Sequence, residues 1–106
     1  MTLGELLDYA LSKLETEESL PFGPDVLVLK TKEKIFLLIM LDADPIRFNA
    51  KCDPDRAIFL REQYSGIIPG YHMNKRHWNT IILDGSVPPH LVKELIDHSY
   101  ELVFKK

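Results

Sequence analysis

The run from Ile35 to Leu41 constrains this chain more than any other stretch: seven large apolar residues with no polar position among them. A helix that crosses a bilayer needs about 20 such residues, so the run does not span a membrane. A half-buried strand would alternate apolar and polar side chains, and this one does not, so both of its faces need cover. It is therefore read as a central strand. Val26 to Lys30 is the strand before it, and the polar Thr31, Lys32 and Glu33 form the hairpin connection. No Asn-Gly or Asp-Gly pair marks that turn, so its type stays open. Asp42, Ala43, Asp44 and Pro45 break the run.

The flanking segments supply the layers such a strand requires. Thr2 and Glu5 have the spacing of a capping box. Leu3, Leu6, Leu7, Ala10, Leu11 and Leu14 then recur at helical spacing. Glu15 to Pro24 reads as a linker: Glu15, Glu17 and Glu18 are solvated, and Pro21 and Pro24 exclude helix. Phe22, between the breakers, is expected to plug the edge of the core. Ile46 to Cys52 alternates, with Ile46, Phe48, Ala50 and Cys52 on one side and Arg47, Asn49 and Lys51 on the other. Asp53 and Pro54 open a second helix as N-cap and first helical residue. Ala57, Leu60, Arg61 and Tyr64 fall on one stripe of it with Ile58 beside them, and Gly66 suits a left-handed stop.

Ile67 to Met73 and Trp78 to Asp84 read as two strands around a polar turn at Asn74, Lys75 and Arg76, with Pro69 marking an edge or a bulge. Pro88 or Pro89 opens a last helix carrying Leu91, Val92, Leu95, Ile96, Ser99, Leu102 and Val103 on its stripe. The order is α-β-β-β-α-β-β-α. This predicts an α+β, two-layer fold: a mainly antiparallel five-stranded sheet, helices on one face and the other face partly open. Residues 1–106 are expected to form a single domain, and with 45% hydrophobic and 27% charged residues the chain can bury a core without staples.

Some functions are disfavoured at once. Cys52 is the one cysteine, which excludes an internal disulfide and an all-cysteine metal site. No basic leader precedes an apolar run at Met1 to Glu5, so no signal peptide is expected and the cytoplasm is the expected location. The net charge of -3 argues against strong attraction of the whole protein to nucleic acid or to an anionic membrane. The charge is uneven, however: residues 1–46 sum to -5 and residues 47–106 to +2.

The stretch from Ile67 to Asp84 concentrates the rare residue types. It holds the single Trp, two of the four His, an adjacent Lys-Arg pair and two side-chain amides. Nucleic-acid surfaces need Lys and Arg for phosphates, and amides or aromatics for bases. His72, Asn74, Lys75, Arg76, His77 and Asn79 provide these, and the Arg47, Asn49, Lys51 row extends them if that strand lies nearby. A purely structural use competes: Trp78 and Tyr71 as core aromatics, Asn74 to Arg76 as a solvated turn, Asn79 serving the backbone. His72 and His77 could face each other across a two-residue turn, and a longer turn would separate them; zinc in any case wants three or four ligands. Cys52 lies on the apolar side of its strand, which makes it an inert thiol. Ser99 and Tyr100, on an apolar stripe, are expected to bond backbone at a kink or a helix contact. No phosphate loop, metalloprotease motif or carboxylate pair is present, so an enzyme is not expected and no cofactor is called for.

Four ordered pieces carry a family resemblance. They are Pro21-Phe22-Gly23, Lys51-Cys52-Asp53-Pro54, Pro69-Gly70-Tyr71-His72-Met73-Asn74-Lys75 followed by His77-Trp78-Asn79-Thr80, and Ser99-Tyr100 with Leu102-Val103. From about Glu18 to Val103 the chain resembles the MmcQ/YjbR family. The resemblance implies an α/β two-layer fold, similar in outline to CyaY-like and secretion-chaperone-like arrangements. It also implies DNA binding, by likeness to a double-wing domain. The chain departs from the family's usual pattern in lacking a glycine before Lys34. The leading expectation is a small non-enzymatic domain that binds DNA through the Tyr71–Thr80 stretch and the Arg47, Asn49, Lys51 row. The alternative is a protein-interaction or chaperone-like adaptor, as a homodimer or with another protein, using the open sheet face. The third reading is a metal or small-ligand binder through His72 and His77.

Overall fold

A computed structural model describes residues 1–105 of the chain. Helix α1 runs over Leu3–Leu11, and strands β1 to β4 over Thr16–Ser19, Val26–Thr31, Lys34–Met40 and Arg47–Lys51. Helix α2 covers Pro54–Gln63, β5 and β6 cover Ile67–Pro69 and Trp78–Ile82, and α3 covers Pro89–Phe104. The strands form one antiparallel sheet in the order β1-β2-β3-β4-β6-β5. The fold class is the expected one, with six strands instead of five. The added strand is β1, in the stretch read as a linker. Its residues Thr16, Glu17, Glu18 and Ser19 carry no apolar alternation because it is an exposed edge, where charge discourages pairing with another chain.

The run from Ile35 is central, between β2 and β4. A bulge explains how it fills its place. Leu29 pairs with Leu37 and Lys30 with Ile35, so Phe36 is the unpaired extra residue. Phe36 thereby joins Leu37 and Ile39 in one core, with Phe48, Ile81, Leu95 and Ile96. The Ser99 hydroxyl of α3 donates to the Phe36 carbonyl at 2.6 Å, the helix contact expected of that residue. The β2–β3 turn holds Lys32 and Glu33 at φ of 50° and 66°, the two positive values of a type I′ hairpin.

The helices lie on the core side. The capping box forms as expected: Glu5 N–H donates to Thr2 Oγ1 at 3.2 Å, and Thr2 N–H to the Glu5 carboxylate at 3.1 Å. Tyr9 of α1 donates to Asp97 of α3 at 2.6 Å, and that hydrogen bond, with burial, pushes the phenol up to about 12. Asp53 caps α2, accepting from Asp55 N–H at 3.1 Å, and Pro54 is the first helical residue.

Three expectations are corrected here. Helix α2 ends at Tyr64 in extended conformation. Gly66 serves close approach instead: a Cβ there would overlap the Ser86 hydroxyl. Ile58 lies 54% exposed beside Phe59, off the apolar stripe. Phe22 does not plug the core; it is 65% exposed on the other side of the sheet.

Candidate functional site: the helix-free face of the sheet

Strand alternation decides which residues occupy the face without helices. The register aligns Val28, Leu38, Asn49 and Thr80 in one cross-sheet row. With two-residue periodicity, Val26, Met40, Arg47, Lys51 and Trp78 share that face. The alternation that placed Arg47, Asn49 and Lys51 together is therefore observed. Val28 and Leu38 are nevertheless buried there, and two loops bring side chains to this face beside Leu38, Phe22 from one and Tyr71, His72 and Met73 from the other. One is the Leu20 to Asp25 segment. The other is Gly70 to His77, which replaces the expected tight turn: β5 stops at Pro69 and β6 starts at Trp78.

The second loop is built by side chains that the sequence reading assigned to a ligand. Asn49 Nδ2 donates to the Tyr71 carbonyl at 3.0 Å, and Thr80 Oγ1 accepts from the Tyr71 N–H at 2.9 Å. Thr80 in turn donates to Asn49 Oδ1. The pair thus serves both backbone groups of Tyr71, as a neighbouring strand would. Asn74 Oδ1 accepts from the N–H groups of Arg76 and His77, which closes an Asx turn. Lys75 Nζ donates to the Gly70 carbonyl at 2.9 Å, and Arg61 donates to the Lys75 carbonyl at 2.6 Å. Gly70 is required by proximity, since a Cβ would sit 2.7 Å from Trp78 Cβ. His72 holds a φ of 58°, in the left-handed region. Such a backbone costs free energy in a residue with a side chain, and recurs at functional sites.

The nine residues assigned to nucleic acid therefore separate into groups. Asn49 and Asn79 are buried, at 4% and 2% exposure. Asn79 lies on the opposite face and donates to the Ala57 carbonyl of α2 at 3.2 Å. Asn74 and Lys75 are exposed but occupied within the loop. Arg47, Lys51, Arg76 and His77 keep side chains with no hydrogen bond or ion pair among the described residues. The His72 ring rests on Tyr71, with centroids 4.0 Å apart. No group of three or more His, Cys, Asp or Glu converges among the described residues. The Cys52 thiol is 3% exposed, and burial pushes it up to about 11.

Between the two loops lies a groove of about 320 Å³ that the sequence reading missed, lined chiefly by Phe22, Val26, Leu38, Met40, Tyr71 and Met73. Asn49 and His72 add the polar lining. Its aromatic walls are more than half exposed, Phe22 at 65% and Tyr71 at 57%. A second hollow of about 370 Å³ shares Met40 and Tyr71 and adds Asp42, Ala43 and Arg47. Two sequence signals pointed here. The run from Ile35 was apolar on both sides, and Phe22 and Tyr71 both fall within the motifs of the resemblance.

The comparisons agree with this architecture. The YjbR family model matches residues 11–102. "Uncharacterized protein YjbR" of Escherichia coli K12 is 34% identical over 101 residues, 95% of this chain and 86% of that protein. "Uncharacterized protein YbdF" of Escherichia coli O157:H7 is 37% identical over 83 residues, 78% of this chain and 68% of that protein. Among solved structures, Deinococcus radiodurans protein DR2400, a DUF419 domain, superposes with a TM-score of 0.94 at 39% identity, covering 99% of this chain and 80% of that one. A Pseudomonas syringae protein superposes with a TM-score of 0.84 at 30% identity, covering 96% of this chain and 98% of that one. The chain belongs to the YjbR family.

Proposed function

We propose that this chain is a non-enzymatic binding domain that takes nucleic acid on the helix-free face of its sheet. The observation that supports it is the set of uncommitted cations, Arg47 and Lys51 on one strand face and Arg76 in the adjoining loop. Phosphate contacts need charges that are free to turn toward a ligand, and these make no internal ion pair. The non-enzymatic part rests on how the nucleophile candidates are used: Cys52 is buried with a raised pKa, and the Ser99 hydroxyl is committed to the Phe36 carbonyl. The net charge of -3 limits affinity to this local surface.

Titration of labelled DNA, duplex and single-stranded, at two ionic strengths tests the reading. Binding must weaken with salt by about 0.7 to 0.9 log units per log unit of salt for each phosphate neutralised. A Lys51→Glu/Arg76→Glu double substitution, at side chains without internal partners, should abolish binding and leave the unfolding midpoint unchanged. Absence of binding at low salt, or binding indifferent to salt, refutes it. A protein partner or a second copy is the other reading, favoured by Ile58 and Phe59, adjacent and exposed on α2. Self-association that Phe59→Ser abolishes would support it.

A further inference from the structure

We infer that the groove between Phe22 and Tyr71 receives one unstacked base of a single-stranded nucleic acid, with Arg47 on an adjoining phosphate. This rests on the nucleic-acid reading above and narrows it from any nucleic acid to single strands. In a duplex the base faces are covered by stacking, and only groove edges and backbone are offered. An apolar groove of about 320 Å³ walled by two projecting rings has nothing to hold there. Single strands expose base faces, and proteins take them up on aromatic side chains beside a cationic track.

The walls argue for one unit of a longer chain over a free small molecule. Small-molecule sites bury most of their ligand, whereas Phe22 and Tyr71 stay 65% and 57% exposed. Neighbouring contacts would have to hold the ligand in place, and the face supplies them as cations. Arg47 lines the hollow that continues the groove past Met40 and Tyr71. Its Nε is buried without a hydrogen-bond partner. Asp42 lines the same hollow but makes no ion pair with it. Lys51 lies at the other end of β4, about 14 Å along the strand at about 3.4 Å per residue, and its cross-strand neighbour is Trp78.

Direction and selectivity follow from the same residues. The β1 end of the sheet presents a hollow lined by Glu15, Glu17 and Glu33, along with Lys30 and Lys32, which disfavours phosphates there. From the groove beside β2 and β3, the nucleic acid therefore runs toward β4 and β6, away from the β1 hollow. Asn49, the amide in the groove floor, spends its Nδ2 on Tyr71 and its Oδ1 on Thr80. It has little left to read a base edge, so the site takes bases with weak preference among them.

The experiment compares a short fluorescent oligothymidylate with a mixed-sequence duplex of equal length, by anisotropy at low salt. The single strand should bind at least about tenfold more tightly. Phe22→Ala and Tyr71→Ala should each weaken it about 5- to 150-fold, the range for losing one stacked base, without changing the salt slope. Arg47→Ala should reduce that slope by about 0.7, one single-strand phosphate. Unchanged urea midpoints for the two aromatic variants would show that the loss is in binding. Equal or tighter duplex binding, or single-strand affinity indifferent to both aromatic substitutions, overturns the base site and leaves the wider nucleic-acid reading standing. Failure of both ligands to bind overturns both, and points the face toward a protein.

Discussion

Asn49, in the middle of the sheet, holds the backbone carbonyl of Tyr71, in the loop above it, through a 3.0 Å hydrogen bond from its side-chain amide. Thr80 completes the clamp from the next strand by accepting the Tyr71 N–H at 2.9 Å. A loop that would otherwise hang from β5 and β6 is thus fixed over the helix-free face. Asn49→Ala removes two hydrogen bonds, the one it donates to the Tyr71 carbonyl and the buried one it accepts from the Thr80 hydroxyl. The expected cost is about 1–3 kcal/mol, measured as a lower urea midpoint. Amide hydrogen exchange should quicken from Tyr71 to His77 more than in α3. Asn74→Ala, at an exposed turn, should cost less.

The Phe36 bulge and Ser99 make a second coupled pair. A bulged carbonyl has no strand partner, and it lies against a helix where water cannot reach; Ser99 is fully buried. Ser99→Ala deletes its donor and should destabilise the domain by about 1–3 kcal/mol, read by denaturant unfolding. The loss should fall on the β3–α3 packing and leave the groove loops in place.

The β2–β3 turn stores removable strain. Lys32 and Glu33 both hold positive φ, which costs a residue with a side chain about 1–2 kcal/mol. Glycine at the second position relieves this but adds freedom to the unfolded chain. Glu33→Gly should therefore raise stability by a net of about 0.5–1 kcal/mol, seen as a higher thermal midpoint. Lys32 is better kept: its ammonium donates to the Phe104 carbonyl at 3.1 Å and sits 4.0 Å from the centre of that ring.

His98 makes stability depend on pH. Its Nε2 accepts the Asp53 N–H at 3.1 Å, which only the neutral ring can do. Burial first, then the Arg56 charge, lowers its pKa below the ordinary 6.5. The unfolded chain then binds more protons between the two values, so stability rises with pH across that window. The contribution is complete above 6.5 and is lost as pH falls through the folded value. The unfolding midpoint of the native protein should be lower below pH 6.5 than above it. His98→Gln, which keeps an acceptor but does not titrate, should drop less.

The local rules were legible in the sequence. The capping box at Thr2 and Glu5, the Asp53-Pro54 helix start, the central place of the run from Ile35 and the shared face of Arg47, Asn49 and Lys51 follow from spacing. Spacing sets direction along a strand or helix without help from distant residues. The buried placement of Cys52 followed in the same way. Strand β1 was not legible, because an exposed edge needs no apolar pattern.

The candidate site lay beyond those rules. Polar residue types in Tyr71 to Thr80 suggested a ligand, yet Asn49 and Asn79 are buried and Asn74 and Lys75 are occupied by the loop itself. A side chain's type states which bonds it can make, and only its neighbours in space decide whether those bonds are already made. The sequence by itself determined the layers, the strand faces and the family. Tertiary structure decided that Phe22 and Tyr71, 49 positions apart, wall one groove, because two loops without periodicity are placed only by the sheet beneath them. It also decided that Arg47, Lys51 and Arg76 are left without internal partners among the described residues, because pairing depends on distances that no local pattern encodes.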